Sequence, residues 1–238
     1  MRIASFNMRQ GGSDRHWSSI LSTTVPDLLF VQETKNPRVL ASEFLHPSDA
    51  KGLTWQAIAH GRWGSAILAR KSTIRPVAVP GFLGWVVGGE IQLASGILFA
   101  YSIHLPPTKG SYIKSATRLL DELSPIAAGA PVILGGDWNL TVGLRRSGEE
   151  RNNRPGESDL LARLENEFGL RSAWDVANPD LPLPQTLRWM RNPTTPYHCD
   201  GIFLPQWRHV EKATVLTGET WVDLSDHNPV AVDWSPPL

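Results

Sequence analysis

The stretch that most limits how this chain can fold is Pro131-Val132-Ile133-Leu134-Gly135-Gly136-Asp137-Trp138-Asn139. An apolar run that delivers two glycines, an acid and then an amide describes a buried strand presenting polar groups at its end. If the chain stays extended through Trp138, side chains two apart point the same way, so Asp137 and Asn139 face one cavity. Gly, Asp and Asn are also the residues that turns select, and an Asx turn leaving a strand accounts for the same letters. The stretch alone leaves a site and a turn equally open.

Other segments repeat the design. Residues 1–7 read as a strand ending in Asn7, and Leu28-Leu29-Phe30-Val31-Gln32-Glu33 as a second one running out into an acid. Ile97-Leu98-Phe99-Ala100-Tyr101-Ser102-Ile103 delivers His104. Between them, short strand-like pieces at 54–59, 65–70, 77–79 and 85–93, broken by Gly, Pro and Ser, predict a meander. Helical spacing of Trp17, Ile20 and Leu21 predicts a helix over 14–24, and that of Ile113, Ala116, Leu119, Leu120 and Leu123 a helix over 111–128. A short helix to Phe44 and another over 160–168, stopped by Gly169, complete the helices. Strands are predicted at 186–190, 199–204, 211–216 and 230–234. With no internal repeat or linker, residues 1–238 are expected to form a single domain.

Charge narrows the partners. Lys plus Arg and Asp plus Glu are 23 each, so no global basic field advertises nucleic acid, and attraction to phosphate must be local. One cysteine, Cys199, excludes an internal disulfide framework. The first strand begins at Arg2-Ile3 without a basic, apolar leader, and no apolar run approaches the roughly 20 residues a bilayer span needs. The expected location is cytoplasmic, with no membrane association and no obligate protein partner.

Collected together, the strand-end residues are Asn7, Glu33, His104, Asp137, Asn139, Asp200 and the pair Asp226-His227. Oxygen ligands with few Cys or His suit Mg²⁺, with Mn²⁺ as the alternative, better than zinc. The inventory fits phosphate-ester hydrolysis: a cation for the charge at phosphorus, an acid for the water, histidines for the phosphate or the leaving oxygen.

Asn7, Gln32-Glu33, His104, Gly136-Asp137-Trp138-Asn139, Asp200 and Ser225-Asp226-His227-Asn228-Pro229, in that order, resemble the endonuclease/exonuclease/phosphatase superfamily over essentially the whole chain. The resemblance implies an α/β (α+β) fold, a four-layer sandwich of two packed mixed β-sheets flanked by helices. It implies metal binding by Glu33, Asn7 and Asp226, and water activation by Asp137 with Asn139. His227, oriented by Asp200, would contact the scissile phosphate, and His104 resembles the second histidine of the pancreatic-type deoxyribonucleases. There that histidine pairs with an acid from a neighbouring strand, whereas residues 60–70 here contain none. Asp200-Gly201 stands where many members have Asp-Tyr, and Pro196-Tyr197-His198-Cys199-Asp200 departs from the inositol polyphosphate phosphatase signature at Gly201.

Around this set, Arg145, Arg146, Arg188 and Trp189 are the candidate substrate-binding residues. Residues 144–158 read as a long exposed loop in which Arg145, Arg146, Arg151 and Arg154 are matched by Glu149, Glu150 and Glu157, either a self-neutralising loop or a phosphate-tracking arm. Arg188 and Arg191 flank Trp189, and Trp63, Trp138 and Trp189 are candidate stacking faces, with core packing the default for Trp138. The leading expectation is a Mg²⁺-dependent phosphodiesterase acting on nucleic acid. Its alternatives are a phosphatase or phosphodiesterase for a small-molecule or lipid phosphoester, and a silent member of the fold that only binds. Retention of the acidic and histidine set disfavours the last.

Overall fold

The computed structural model describes residues 1–93, 96–127, 130–146, 149, 152–189, 196–206 and 209–235. Two six-stranded mixed sheets pack face to face with helices outside, the expected α/β sandwich. The first sheet contains β1 (Arg2–Gly11), β2 (Leu28–Thr34), β3 (Leu53–Ala57), β4 (Gly64–Ala69), β13 (Val210–Val215) and β14 (Val230–Trp234), in the order β13-β14-β1-β2-β4-β3. The second contains β5 (Ile74–Val77), β6 (Val86–Leu93), β7 (Gly96–His104), β8 (Val132–Asp137), β9 (Leu170–Ser172) and β12 (Asp200–Pro205), in the order β5-β6-β7-β8-β12-β9. A two-stranded ribbon of β10 (Leu187–Arg188) and β11 (Pro196–Tyr197) lies beside them.

At the centre of each sheet is one parallel pair joined by a helical crossover. In the first sheet α1 (Asp14–Thr24) joins β1 to β2, and in the second α3 (Tyr112–Ala127) joins β7 to β8. Helix α1 starts behind Ser13, which reaches the His16 ring, and ends where Val25 turns left-handed with its N–H on Leu21 O. Its buried residues Trp17 and Ile20 face β1 and β2, as the periodicity predicts. The remaining helices are α2 (Pro37–Leu40), α4 (Pro155–Phe168), α5 (Ala173–Ala177) and α6 (Glu219–Leu224).

Two expectations change. The middle of the chain is not one meander: the β3–β4 hairpin joins the first sheet and β5–β6–β7 builds the second. The polar loop is also shorter than the sequence suggests, because α4 already starts at Pro155. Proline fits a first helical position, where its missing N–H would have no partner, and Glu157 accepts the N–H of Arg154.

Strand alternation explains where the polar groups collect. Ile3, Leu28, Phe30, Leu98, Ala100, Ile133, Ile202 and Leu204 fill the core between the sheets, while Phe6, Leu29, Tyr101, Leu134 and Phe203 face the helices. Continuing the inward positions along the same strands gives Ser5 and Asn7, Gln32, Ser102 and His104, Gly135 and Asp137, and Asp200. The inter-sheet core therefore changes from apolar to polar within one residue pair on every central strand. Trp138 lies on the helix side, fully buried, with its ring 5.3 Å from Phe203.

Candidate active site

Asp137 is the hub of that polar end. The parallel and antiparallel registers of β8 set His104 and Asp200 directly beside it on its two neighbouring strands. Its Oδ1 accepts the N–H of Asn139 at 2.9 Å, and its Oδ2 accepts Nδ2 of Asn7 at 3.0 Å and Nδ2 of Asn139 at 3.3 Å. Burial pushes the carboxyl above its ordinary range, against the pull of His227.

The chain does not remain extended through Trp138. β8 stops at Asp137, and Asn139 takes a left-handed φ of 54°, which the short amide tolerates. The side chains of Asp137 and Asn139 meet because the backbone turns, not because it alternates. Asn139 is anchored by donation to Leu105 O at 3.2 Å.

His227 reaches Asp137 from the opposite sheet, on the loop preceding β14. Its Nδ1 donates to Asp200, 2.9 Å from Oδ2 and 3.1 Å from Oδ1. Its Nε2 stands 3.9 Å from Asp137 Oδ2, beyond hydrogen-bond reach. Burial disfavours a charged imidazole, but Asp200 and Asp137 together outweigh it and lift His227 to about 10. Thr186 braces this pair by accepting the backbone N–H groups of Cys199 and Asp200 at 2.9 and 3.0 Å.

Glu33 is placed differently. By alternation it would face the helices, but it too adopts a left-handed φ of 54°, and the register of β2 shifts on both sides of it. The bulge turns Glu33 back to the polar end. There its Oε2 accepts Gln10 N–H at 2.6 Å and its Oε1 accepts Asn7 Nδ2 at 3.1 Å. His104 Nε2 lies 3.6 Å from Glu33 Oε1 and 3.8 Å from Asp137 Oδ2. Among the described residues His104 Nδ1 has no hydrogen-bond partner. Instead, its ring is walled by Trp85 at 5.0 Å and half-buried Trp63 at 5.5 Å, where an acid would have been needed for a pancreatic-type pair.

Asp226 is half-buried, with Oδ2 3.7 Å from Arg9 Nε. Arg9 is absent from the sequence-based set, although its spacing of two from Asn7 was a signal. It and Gln10 are consecutive left-handed residues in the bulge that ends β1. Arg9, Gln10, Glu33 and Asn139 make four of the eight described non-glycine residues with positive φ, so backbone strain concentrates at this end of the molecule.

The candidate substrate residues do not join the cluster. Arg188 is buried: its guanidinium donates to Asn228 Oδ1, Trp221 O and Ser225 O, tying α6 to the loop that carries His227. Arg145 pairs with Glu149 at 3.4 Å within its own loop, whereas Arg146 approaches Asp175 of α5 at 4.0 Å. Trp189 is 60% exposed and follows Arg188, whose N–H donates to Asp226 O at 2.8 Å. Met190, Arg191, Glu150 and Arg151 lie outside the described residues.

Two groupings are chemically able to hold a cation. Asp137, Cys199, Asp200 and His227 bring ligand atoms within 4.8 Å of one another. In that grouping burial, with Asp200 and Asp137 beside it, pushes the Cys199 thiol well up, which leaves two carboxylates and an imidazole as its donors. Glu33 Oε1 and Asp137 Oδ2 are hard oxygens bridged by one Asn7 amide, and that donor chemistry fits a divalent cation.

A sandwich whose inter-sheet core ends in acids, amides and histidines defines a hydrolase of phosphate esters. The Endonuclease/Exonuclease/phosphatase family model matches residues 4–227, and the chain belongs to that family, whose members are metal-dependent phosphoester hydrolases. No curated protein matches it in sequence. Among solved structures it is similar to a humanized D. rerio TDP2, with TM-score 0.68 and 17% identity, covering 99% of each chain. It is also similar to a Bacteroides thetaiotaomicron mannosyl-6-phosphatase, with TM-score 0.65 and 17% identity over 99% of each chain. The endonuclease domain of TRAS1, a telomere-specific non-LTR retrotransposon, matches with TM-score 0.62 and 16% identity, covering 97% of this chain and 96% of that one. Among the described residues no helix is long and apolar enough to cross a membrane.

Proposed function

We propose that this protein is a Mg²⁺-dependent nuclease that hydrolyses phosphodiester bonds by in-line attack of water. The observation that carries the reading is that two imidazole Nε2 atoms, of His104 and His227, approach one buried carboxylate oxygen, Asp137 Oδ2, at 3.8 and 3.9 Å. A diester needs charge against its phosphate oxygens and a proton for a poor alkoxide leaving group. A His227 held charged at neutral pH and a separate His104 divide those tasks.

Glu33, with Asn7 beside it and Asp226 on the neighbouring loop, would hold the cation, which when bound neutralises charge on the phosphate oxygens. Asp137 orients the attacking water and takes its proton, a role suited by a carboxyl raised through burial. Asn139 steadies that carboxylate, and His227 donates its Nε2–H to a phosphate oxygen while Asp200 holds Nδ1. As the water oxygen bonds to phosphorus and the bond from phosphorus to the ester oxygen breaks, His104 Nε2 gives that departing oxygen its proton, and the proton taken from the water stays on Asp137.

A second reading, a phosphatase for a small phosphoester, draws support from Arg145, Arg146 and Arg188 being engaged within the protein. Purified protein with Mg²⁺ or Mn²⁺ is to be incubated with plasmid, single-stranded DNA, RNA and sugar phosphates. Cleavage of a polynucleotide is expected, and turnover of sugar phosphates alone would replace the nuclease reading with the second.

A further inference from the structure

We propose that Gln32 and Ser102 form a clamp between the two sheets that fixes where Glu33 stands relative to His104 and Asp137, making Gln32 a positioning residue for the hydrolysis. The proposal rests on Glu33 as the group that holds the cation.

The need for a clamp follows from the bulge. A residue in a regular strand is aimed by its register, but Glu33 lies where β2 has slipped register with both neighbours. Gln32, paired with Asn7, is the last residue of β2 in register with β1 before the slip. Whatever holds Gln32 holds the root of the bulge.

Gln32 is fully buried, and its amide is spent across the core. Its Nε2 donates to Ser102 Oγ at 3.0 Å, and its Oε1 accepts Ser5 Oγ at 3.4 Å. Ser102 Oγ in turn donates to Val31 O at 3.0 Å, so a single hydroxyl on β7 is bonded twice to β2. Ser5 is two residues before Asn7, and Ser102 two before His104, on the same inward faces. The polar layer directly below the site thus ties together the three strands that carry Asn7, Glu33 and His104.

The fourth member of the layer makes room. Gly135 pairs with Ser102, and a Cβ there would lie 2.4 Å from the Phe30 ring, so the absence of a side chain lets β8 approach β2. Polar groups in this position are not required by packing, since apolar residues would fill the same volume. What hydrogen bonds add is a fixed separation and registry between the sheets, and through it the span from Glu33 Oε1 to His104 Nε2.

Mn²⁺ binding to the protein without substrate, followed by electron paramagnetic resonance, tests this together with thermal melting. Ser102→Ala removes one hydroxyl, Gln32→Leu removes the amide, the double variant removes both, and Glu33→Gln serves as reference. The clamp predicts Mn²⁺ affinity about tenfold weaker than wild type in each single variant, and in the double the same tenfold loss rather than the product of the two. Ser102→Thr, which keeps the hydroxyl, should retain wild-type affinity. If Gln32→Leu does not fold, Ser102→Ala carries the test alone. Lower melting temperatures with Mn²⁺ affinity unchanged in Ser102→Ala, alongside lost binding in Glu33→Gln, would reduce the layer to core structure and overturn the proposal. Unchanged binding in Glu33→Gln would instead overturn the assignment of the cation to Glu33, and the clamp with it.

Discussion

The two halves of the polar end are built on opposite plans. Asp137 and Asp200 face each other in unbroken antiparallel register, are 1% exposed, and with His227 form a group whose charges and hydrogen bonds are matched before any ligand arrives. Glu33, Arg9 and Gln10 sit on two bulges with left-handed backbone, and Glu33 keeps 15% of its side chain exposed. A group that must carry a proton at a fixed pKa gains from burial and rigid register. In the proposed reaction Glu33 accepts and releases the cation, and such a group gains from an opening and from backbone not committed to a ladder.

The contrast predicts where substitutions bite hardest. Asp137→Asn should lower kcat/KM on a phosphodiester about 10²- to 10⁴-fold, because it removes both the proton acceptor and the carboxylate that both histidines approach. Retention of more than a tenth of the activity would place the base elsewhere.

Asp200→Asn should act next most strongly, on the pH profile. His227 is raised on folding, so its contribution to stability is complete below its ordinary value of 6.5 and is lost as pH rises through about 10. Activity that needs the imidazolium should share this alkaline limb. Removing the Asp200 charge should move the limb toward neutrality, and roughly tenfold of the activity at pH 8 should go with it. An unmoved limb in a rate profile from pH 6 to 11 would break the contrast.

Arg188→Met reaches the link between the halves, since Arg188 ties α6 to the loop that brings His227 across. Leaving its buried acceptors without a donor should cost about 1–3 kcal/mol in denaturant unfolding, with kcat/KM per folded molecule within about twofold. A raised KM at unchanged stability would return Arg188 to the substrate. Trp189→Ala, at an exposed site, should change stability by no more than about 0.5 kcal/mol. An effect confined to KM for polynucleotides would mark Trp189 as a stacking face.

What the sequence made legible follows the same division. Asp137, Asp200 and His104 lie at the ends of regular strands, and the two-residue period that buries Ile133 and Ala100 also aims them. Asp137-Trp138-Asn139 forms an Asx turn and also lies in the polar cluster, two readings that the letters could not separate because the same side chains serve both. The bulges were not legible. Nothing in Gln32-Glu33-Thr34 signals a left-handed φ, and the backbone N–H of Gln10 that binds Glu33 leaves no mark in the sequence. The burial of Arg188 and its three acceptors were not legible either, because a charge read from sequence carries no information about burial, whereas Pro155 was passed over as loop because proline both starts helices and ends them.

The proposed chemistry depends most on His227 being held as a cation by Asp200 and Asp137 before any ligand binds. Titration of the imidazole by NMR in metal-free protein reads it directly. His227 should keep protons on both ring nitrogens through neutral pH and titrate at about 10, with a lower value in Asp200→Asn. Titration near 6.5 in the unaltered protein, or a value indifferent to Asp200→Asn, would contradict it.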